Sequence, residues 1–165
     1  MEFFKIDITD DENIKELSAF ATQIVREHYD PIIGKEQNDY MLEKFQSEQA
    51  IREQIEEGYT YYTANVDGQW VGFCGIEEID GKLYLSKFYL HKNFRKKGYS
   101  SAMMKKVEEE CEKRGLGSIF LRVNKKNEDS IEVYEHFGFK KIRADKGDIG
   151  HGYFMDDYIM EMSIR

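Results

Sequence analysis

A segment in the middle of the chain has features that suit binding of a phosphate group. An extended run, Leu83 to Leu90, leads through the basic loop Arg95 to Gly98 into a helix that begins near Ser100. Such a turn aims successive backbone N–H groups at one point before the positive end of the helix, which favours a pyrophosphate. Gly98 permits a positive φ or a close approach to an anion. The alternative is a solvated loop in which Ser100 only caps the helix.

A second segment places an amide and a phenol on one face of a predicted helix. Asn127 and Tyr134 are seven residues apart, so two helical turns bring both side chains to nearly the same side. A phenol with its ordinary pKa of about 10 is a proton donor at neutral pH, which suits a leaving thiolate. The alternative makes Asn127 an N-cap and packs Tyr134 beside Ile131 and Phe137.

The two segments together, in this order, resemble the signatures of the GNAT acetyltransferases. The first signature, Q/R-x-x-G-x-G/A after a strand, is met, with Ser in place of the last small residue, by Arg95, Gly98 and Ser100. The later signature, N-x-x-A/S-x-x-x-Y-x-x-x-G-F, is met by Asn127, Ser130, Tyr134, Gly138 and Phe139. The order of predicted elements is similar to that fold over essentially the whole chain.

The resemblance implies an N-acetyltransferase that moves the acetyl group of acetyl-CoA to a primary amine by direct attack in a ternary complex. The strand Phe88-Tyr89-Leu90 then parts from its neighbour and pairs with the pantetheine arm, which Asn127 also binds. Tyr134 protonates the departing thiolate. The residues that the resemblance places around the pyrophosphate are Arg95, Lys96, Lys97, Gly98, Tyr99, Ser100 and Ser101.

An ammonium ion is not a nucleophile, so a base must remove its proton, directly or through water. Glu77 and Glu78 end the strand that precedes the cosubstrate strand. Side chains alternate along a strand, so at most one of the two faces the site, and Glu77 is the candidate base. The alternative is that both lie at a solvated hairpin end.

The acceptor pocket is expected, by the same resemblance, at the two N-terminal helices. Near Pro31, Glu27 to Asp30 form an aromatic and acidic cluster that suits a cation. The segment Tyr153 to Tyr158 resembles the ending of the bacterial spermidine/spermine acetyltransferase branch, so the expected acceptor is a small cationic amine such as a polyamine. A protein or peptide N-acetyltransferase and a non-catalytic CoA-binding regulator remain as alternatives.

Hydrophobic periodicity predicts the elements that position these residues. The expected strands and helices are a strand at Phe3–Ile8, a helix with an apolar stripe from Ile14 to Val25, a break at Pro31, a helix at Asp39–Glu57, three strands joined by turns at Asp67-Gly68 and Asp80-Gly81, a helix at Ser100–Arg114, a strand at Ser118–Val123, a helix at Asn127–Phe137 and extended segments at Lys140–Arg143 and Tyr153–Ile164. This order indicates an α/β (α+β) fold. We expect a mixed, mostly antiparallel sheet of about seven strands, flanked by about four helices.

Composition narrows the function classes. With 165 residues, one proline and 41% apolar residues, the sequence predicts a single domain, 1–165, with its own core. The net charge of −8 disfavours nucleic acid as a partner. Cys74 and Cys111 lack ligand spacing, so no metal is expected, and the lack of a signal peptide and of a long apolar run predicts a cytoplasmic protein without a membrane partner. The apolar terminal strands permit a homodimer.

Overall fold

A computed structural model describes residues 1–164 as one seven-stranded sheet with helices on both faces. The strands are β1 (Glu2–Lys5), β2 (Thr60–Val66), β3 (Gln69–Ile79), β4 (Lys82–Leu90), β5 (Ser118–Asn124), β6 (Lys140–Gly150) and β7 (Tyr153–Ser163). The helices are α1 (Asp11–Ile33), α2 (Lys35–Gln46), α3 (Glu48–Glu56), α4 (Tyr99–Lys113) and α5 (Glu128–Phe137), with a 3-10 turn at Lys92–Phe94.

The sheet has the strand order β1-β2-β3-β4-β5-β7-β6. Every neighbouring pair is antiparallel except β4 and β5, which are parallel. Type I′ turn signals at Asp67-Gly68 and Asp80-Gly81 join β2, β3 and β4, and all four turn residues have positive φ. The predicted mixed, mostly antiparallel sheet of seven strands is confirmed.

Hydrophobic clusters cover both faces of the sheet. On one face, α4 and α5 pack through residues such as Met104, Val107 and Ile131. On the other, α1 and α3 pack on Tyr61 and Phe73 of the sheet. The predicted stripe of α1 is confirmed, since the buried residues of this helix are Ile14, Leu17, Ala21, Ile24 and Val25.

The predicted break at Pro31 is wrong, because α1 continues to Ile33 and ends at Gly34. A proline has no N–H, but here the lost bond falls in the last helical turn, where both Glu27 and Pro31 are exposed to water. Gly34, with φ 88°, makes the actual break.

The predicted helix Asp39–Glu57 is two helices, so the described chain has five helices and not four. The break is at Ser47, which is extended and accepts a hydrogen bond from the Ala50 N–H at 3.2 Å, as an N-cap does. The strand predicted at Lys140–Arg143 is longer, since β6 continues to Gly150, whereas β7 closely matches the predicted segment Tyr153–Ile164. The two strands pair over most of their length. No helix within residues 1–164 is long and apolar enough to span a bilayer.

Candidate active site

The parallel strands β4 and β5 are paired only where they begin. Their register joins Leu83 to Ile119 and Tyr84 to Phe120, although β4 runs on to Leu90 and β5 to Asn124. Beyond Tyr84 the described part of the chain shows no ladder between the two strands. A gap therefore opens in the middle of the sheet, and the predicted parting of β4 from its neighbour is present.

A bulge in β4 directs more side chains to the face covered by α1–α3. Gly75 pairs with Lys87 while Ile76 pairs with Leu85, so Ser86 is the extra residue. As a result the side chains of four β4 residues lie on that face, namely Tyr84, Ser86, Lys87 and Tyr89. The bulge thus supplies polar groups to the same side of the gap.

The loop after β4 ends in a helix N-terminus that no side chain of the described residues caps. Gly98 is the N-cap with φ 82°, and Lys96 also has a positive φ of 61°. The first intrahelical bond runs from the Ala102 N–H to the Gly98 carbonyl at 3.3 Å, which leaves the N–H groups of residues 99–101 without helical partners. The alternative reading of Ser100 as the N-cap is wrong, because Ser100 lies inside the first turn.

The basic side chains at this terminus are exposed, as expected for a site that receives a ligand from solvent. The exposed basic residues of the loop are Arg95, Lys96 and Lys97. Arg95 has a second contact, because its Nε donates to the Leu90 carbonyl at 3.2 Å and thereby ties the loop to the end of β4. Unpaired backbone donors, a helix dipole and three cations together suit a diphosphate.

Asn127 connects the two faces of the sheet. It is 2% exposed, and its Oδ1 accepts from the Ser130 N–H at 3.4 Å as the N-cap of α5. The same oxygen lies 3.1 Å from His28 Nε2, and Nδ2 donates to the Tyr29 hydroxyl at 3.1 Å. His28 and Tyr29 belong to α1 on the opposite face, so these contacts pass through the gap between β4 and β5. Burial lowers the pKa of His28, which favours the neutral imidazole.

Tyr134 lies beside the end of β4, with its ring 6.2 Å from Phe88 and 5.7 Å from Phe139, centroid to centroid. Burial raises its pKa above the ordinary range, and the nearby Tyr29 hydroxyl acts in the same direction. The phenol therefore stays protonated and can donate. Tyr29 in turn is hydrogen-bonded to Tyr89, so Asn127, Tyr29 and Tyr89 form a continuous polar chain at the gap.

A cavity of about 100 Å³ lies under α1 and α2, on the face that receives the bulge side chains. Its sheet wall consists of Tyr84, Ser86, Tyr89, Arg122, Asn124, Met155 and Asp157. Its helical wall consists of Val25, Tyr29, Ile33, Gln37, Met41, Leu42, Phe45 and Gln46. Three phenols, one carboxylate, the Arg122 guanidinium and a mainly apolar helical wall thus surround a space that borders the gap at Tyr89.

Glu77 does not reach this cavity wall. It pairs with Tyr84 across the β3–β4 ladder and is partly buried, and burial raises its pKa, with the charge of Glu57 adding to the effect. Glu78 pairs with Leu83 and is exposed. The two glutamates are therefore separated as strand alternation predicts, and Glu77 pairs with the cavity residue Tyr84 but does not itself line the cavity.

Several cavity residues were given no role from the sequence. Asp157 and Arg122 are the main ones, since the buried carboxylate of Asp157 pairs with the partly exposed Arg122 in the sheet wall, with Arg122 Nε 3.3 Å from Asp157 Oδ2. A sequence signal did exist, because Asp157 interrupts the alternating apolar positions of β7. The cluster before Pro31 contributes only in part: Tyr29 enters the cavity, whereas Glu27 is exposed and pairs with Lys92 at 3.9 Å.

The parted strands, the uncapped helix N-terminus and the phenol beside them define a class of transferase that holds an extended, diphosphate-bearing cosubstrate. The model of the acetyltransferase (GNAT) family matches residues 22–139. The chain belongs to the GNAT acetyltransferase family.

Known proteins and solved structures are similar to this chain at low identity. The [ribosomal protein bS18]-alanine N-acetyltransferase of Escherichia coli K12 is 23% identical over 95 residues, which are 58% of this chain and 64% of that protein. The PaiA N-acetyltransferase of Thermoplasma acidophilum, solved with coenzyme A, is similar with a TM-score of 0.79 and 20% identity over 99% of both chains. A GCN5-related N-acetyltransferase of Rhodopseudomonas palustris has a TM-score of 0.80 and 13% identity over 99% of this chain and 95% of that one.

Proposed function

We propose that this protein transfers the acetyl group of acetyl-CoA to the primary amine of a small cationic acceptor. The observation that carries the proposal is the gap between β4 and β5, through which Tyr29 from one face meets Asn127 from the other at 3.1 Å. A gap with a basic helix terminus on one side and a cavity on the other lets two substrates approach each other from opposite faces.

The residues around the gap fit acetyl-CoA as the cosubstrate. The N–H groups at the start of α4 and the loop cations suit its diphosphate, with Lys96 and Gly98 holding the positive φ values that the turn needs. The main chain of Phe88 to Leu90, unpaired toward β5, can take up the amides of the pantetheine arm, and the Asn127 amide borders the same gap. When bound, acetyl-CoA supplies a reactive thioester to an amine held in the cavity.

The cavity supports a cationic acceptor. Asp157 places a carboxylate among the rings of Tyr29, Tyr84 and Tyr89, and both carboxylates and aromatic faces attract an ammonium group. The space of about 100 Å³ suits a slender chain such as an alkyl amine. The net charge of −8 adds long-range attraction for cations.

A second candidate is a protein or peptide acceptor, which the match to the bS18-alanine N-acetyltransferase favours. The structure offers it room, because a more open cleft of about 310 Å³ adjoins the cavity and shares Ile33, Gln37 and Asn124 with it. The cleft also contains Lys125, Lys126 and Lys146, whose charge suits an acidic stretch more than a polyamine.

The chain's own residues contribute mainly by positioning, which can be worth about 7–11 kcal/mol when two reactants are held in a reactive geometry. Tyr134 stays protonated because of its burial and donates a proton to the sulfur that leaves. The Asn127–Tyr29–Tyr89 chain keeps the phenols oriented around the gap.

The test is a thiol-release assay with acetyl-CoA against spermidine, spermine, simple diamines, aminoglycosides and peptides with free N-termini or lysines. Release that depends on a polyamine or diamine supports the proposal. Thiol release only with peptides supports the second candidate, a protein or peptide acceptor, and contradicts a small cationic acceptor. Tight acetyl-CoA binding with no release from any amine would make the chain a CoA-binding regulator and refute the proposed activity.

We also propose that residues 1–165 act as one domain and that two copies associate through the terminal strands. The edge strand β6 exposes Ile142 and the neighbouring β7 exposes Phe154, at 51% and 47% of their surface. Light scattering at assay concentration tests the association, and a monomeric mass contradicts it.

A further inference from the structure

Asp157 is the acidic side chain that the described residues place in the wall of the acceptor cavity. It is 1% exposed and lies on β7, opposite Asn124 of β5, on the sheet face that the cavity shares with Tyr84 and Tyr89. A carboxylate removed from water in this way needs a reason, since burial of a charge is costly unless it is paired.

Arg122 supplies the pairing. Its Nε lies 3.3 Å from Asp157 Oδ2, and its terminal nitrogen lies 2.5 Å from Asp145 Oδ2, so one guanidinium is shared by two carboxylates. Burial nevertheless raises the pKa of Asp157, and the charges of Asp145 and Asp156 add to that effect. The Arg122 guanidinium thus favours the carboxylate form of Asp157. Burial opposes this effect, so that the Asp157 carboxylate is more basic than an exposed one.

The charge of Asp157 acts on two of the phenols that line the cavity with it. It contributes to the raised pKa values of Tyr29 on α1 and Tyr84 on β4, which line the same space. The titratable groups facing Asp157 are therefore Arg122, Asp145, Asp156, Tyr29 and Tyr84. An ammonium ion that enters this cavity meets one carboxylate, already held in place by Arg122.

We infer that Asp157, and not Glu77, receives the proton of the acceptor ammonium ion, and that Arg122 is its positioning residue. This inference rests on the proposed function, because it names the base of that same reaction. Glu77 lies outside the cavity wall, whereas Asp157 is part of it.

The proton balance is complete without a further reactant. One N–H bond of the ammonium breaks, its proton goes to Asp157, and the electron pair left on nitrogen adds to the thioester carbonyl. The C–S bond then breaks, and the sulfur takes a proton from Tyr134. The second proton lost by the nitrogen replaces the one that Tyr134 gave, and Asp157 releases its proton to solvent. The net products are the amide, the CoA thiol and one proton.

The test compares wild type with Asp157→Asn over a range of pH, using an acceptor that the wild type acetylates. We expect kcat/KM for the amine at neutral pH to fall by about 10²- to 10⁴-fold. In the variant the residual kcat/KM should rise about tenfold per pH unit, because only amine already deprotonated in solution can react. A fluorinated, electron-poor analogue of the acceptor, uncharged at neutral pH, should reduce the difference between the two enzymes.

A matched control is Asp67→Asn, the same change at an exposed residue of the turn between β2 and β3. It should keep the wild-type pH profile. Calorimetry gives a readout without turnover: with CoA bound, Asp157→Asn should bind the cationic amine at least tenfold more weakly, and Asp67→Asn should not. If Asp157→Asn does not fold, Arg122→Gln should shift the acidic limb of the profile to higher pH, since loss of a cation raises a carboxyl pKa.

The outcomes separate the two proposals. The role of Asp157 is overturned if the wild type turns over, the pH profiles of Asp157→Asn and wild type are parallel, and the electron-poor analogue leaves the difference in kcat/KM between the two enzymes unchanged. That result leaves the acetyltransferase proposal in place. An acid limb that Arg122→Gln leaves unmoved would do the same. Absence of turnover with every amine would overturn both proposals.

Discussion

Replacement of Tyr134 by Phe removes one hydroxyl from the residue proposed to protonate the leaving sulfur. The ring contacts with Phe88 and Phe139 remain, so packing beside β4 should be nearly unchanged. The groups proposed to hold acetyl-CoA, namely the α4 terminus and Asn127, are also intact. The expected effect is therefore on kcat, with little change in KM for acetyl-CoA.

The magnitude follows from the environment of the phenol. Burial raises the pKa of Tyr134 above its ordinary value, so at assay pH the group is fully protonated and contributes as a general acid at every pH up to about 9. General acid catalysis of this kind is worth about 10²- to 10⁴-fold, and we expect kcat to fall within that range. Unfolding stability should change by less than about 1 kcal/mol, because the ring keeps its apolar contacts.

The assay is stopped-flow thiol release at saturating acetyl-CoA, with thermal unfolding of the same samples. Tyr40→Phe is the matched control, since its hydroxyl donates to the Ile149 carbonyl at 2.6 Å, away from the gap, and Lys44 also donates to that carbonyl. An unchanged kcat in Tyr134→Phe, or a loss equal to that of Tyr40→Phe, would refute the assignment of Tyr134 even though the fold stands.

Two further predictions follow from packing and burial. Gly72→Ala places a Cβ 2.6 Å from the Tyr89 carbonyl oxygen, so β4 must shift. We expect a loss of about 1–3 kcal/mol in unfolding free energy and a raised KM for acetyl-CoA. The control Gly147→Ala should show neither effect, because nothing lies within 4 Å of its Cβ. Burial lowers the pKa of Lys87 to about 7, below its unfolded value, so the unfolded state binds more protons above pH 7. The unfolding free energy should then rise from pH 7 to 9 by at most about 1.4 kcal/mol per pH unit, and urea unfolding of Lys87→Met should lack this rise; an equal slope in both proteins contradicts the burial argument.

The local parts of this structure could be predicted from the sequence. The Asp-Gly turns, the apolar stripe of α1 and the two signature segments depend on residues close together in the chain. The structure has the corresponding turns, helices and strands at these positions. The alternatives offered for Asn127 were not exclusive: it caps α5 and also crosses the gap to Tyr29. Local signals identify a residue's neighbours on its own element and leave its long-range contacts open.

The acceptor side could not be predicted, because it depends on long-range geometry. Asp157 and Arg122 meet only because β7 inserts between β5 and β6. Tyr89 lies on the same face as Tyr84 only because Ser86 bulges out of register with β3. The helix boundary near Pro31 was misplaced for a related reason. The cost of a proline depends on which carbonyl loses its partner, and there that carbonyl belongs to the exposed Glu27.

Amide hydrogen exchange with and without acetyl-CoA tests most directly whether the gap holds the cosubstrate. If the gap and the α4 terminus hold the cosubstrate, the N–H groups of the segment 88–90 that face the gap and those of residues 99–101 become protected together, while those of the distant edge strand β1 keep their rates. Protection that leaves both segments unchanged, or that falls only on the lysine-lined cleft between α1 and β6, would contradict the account.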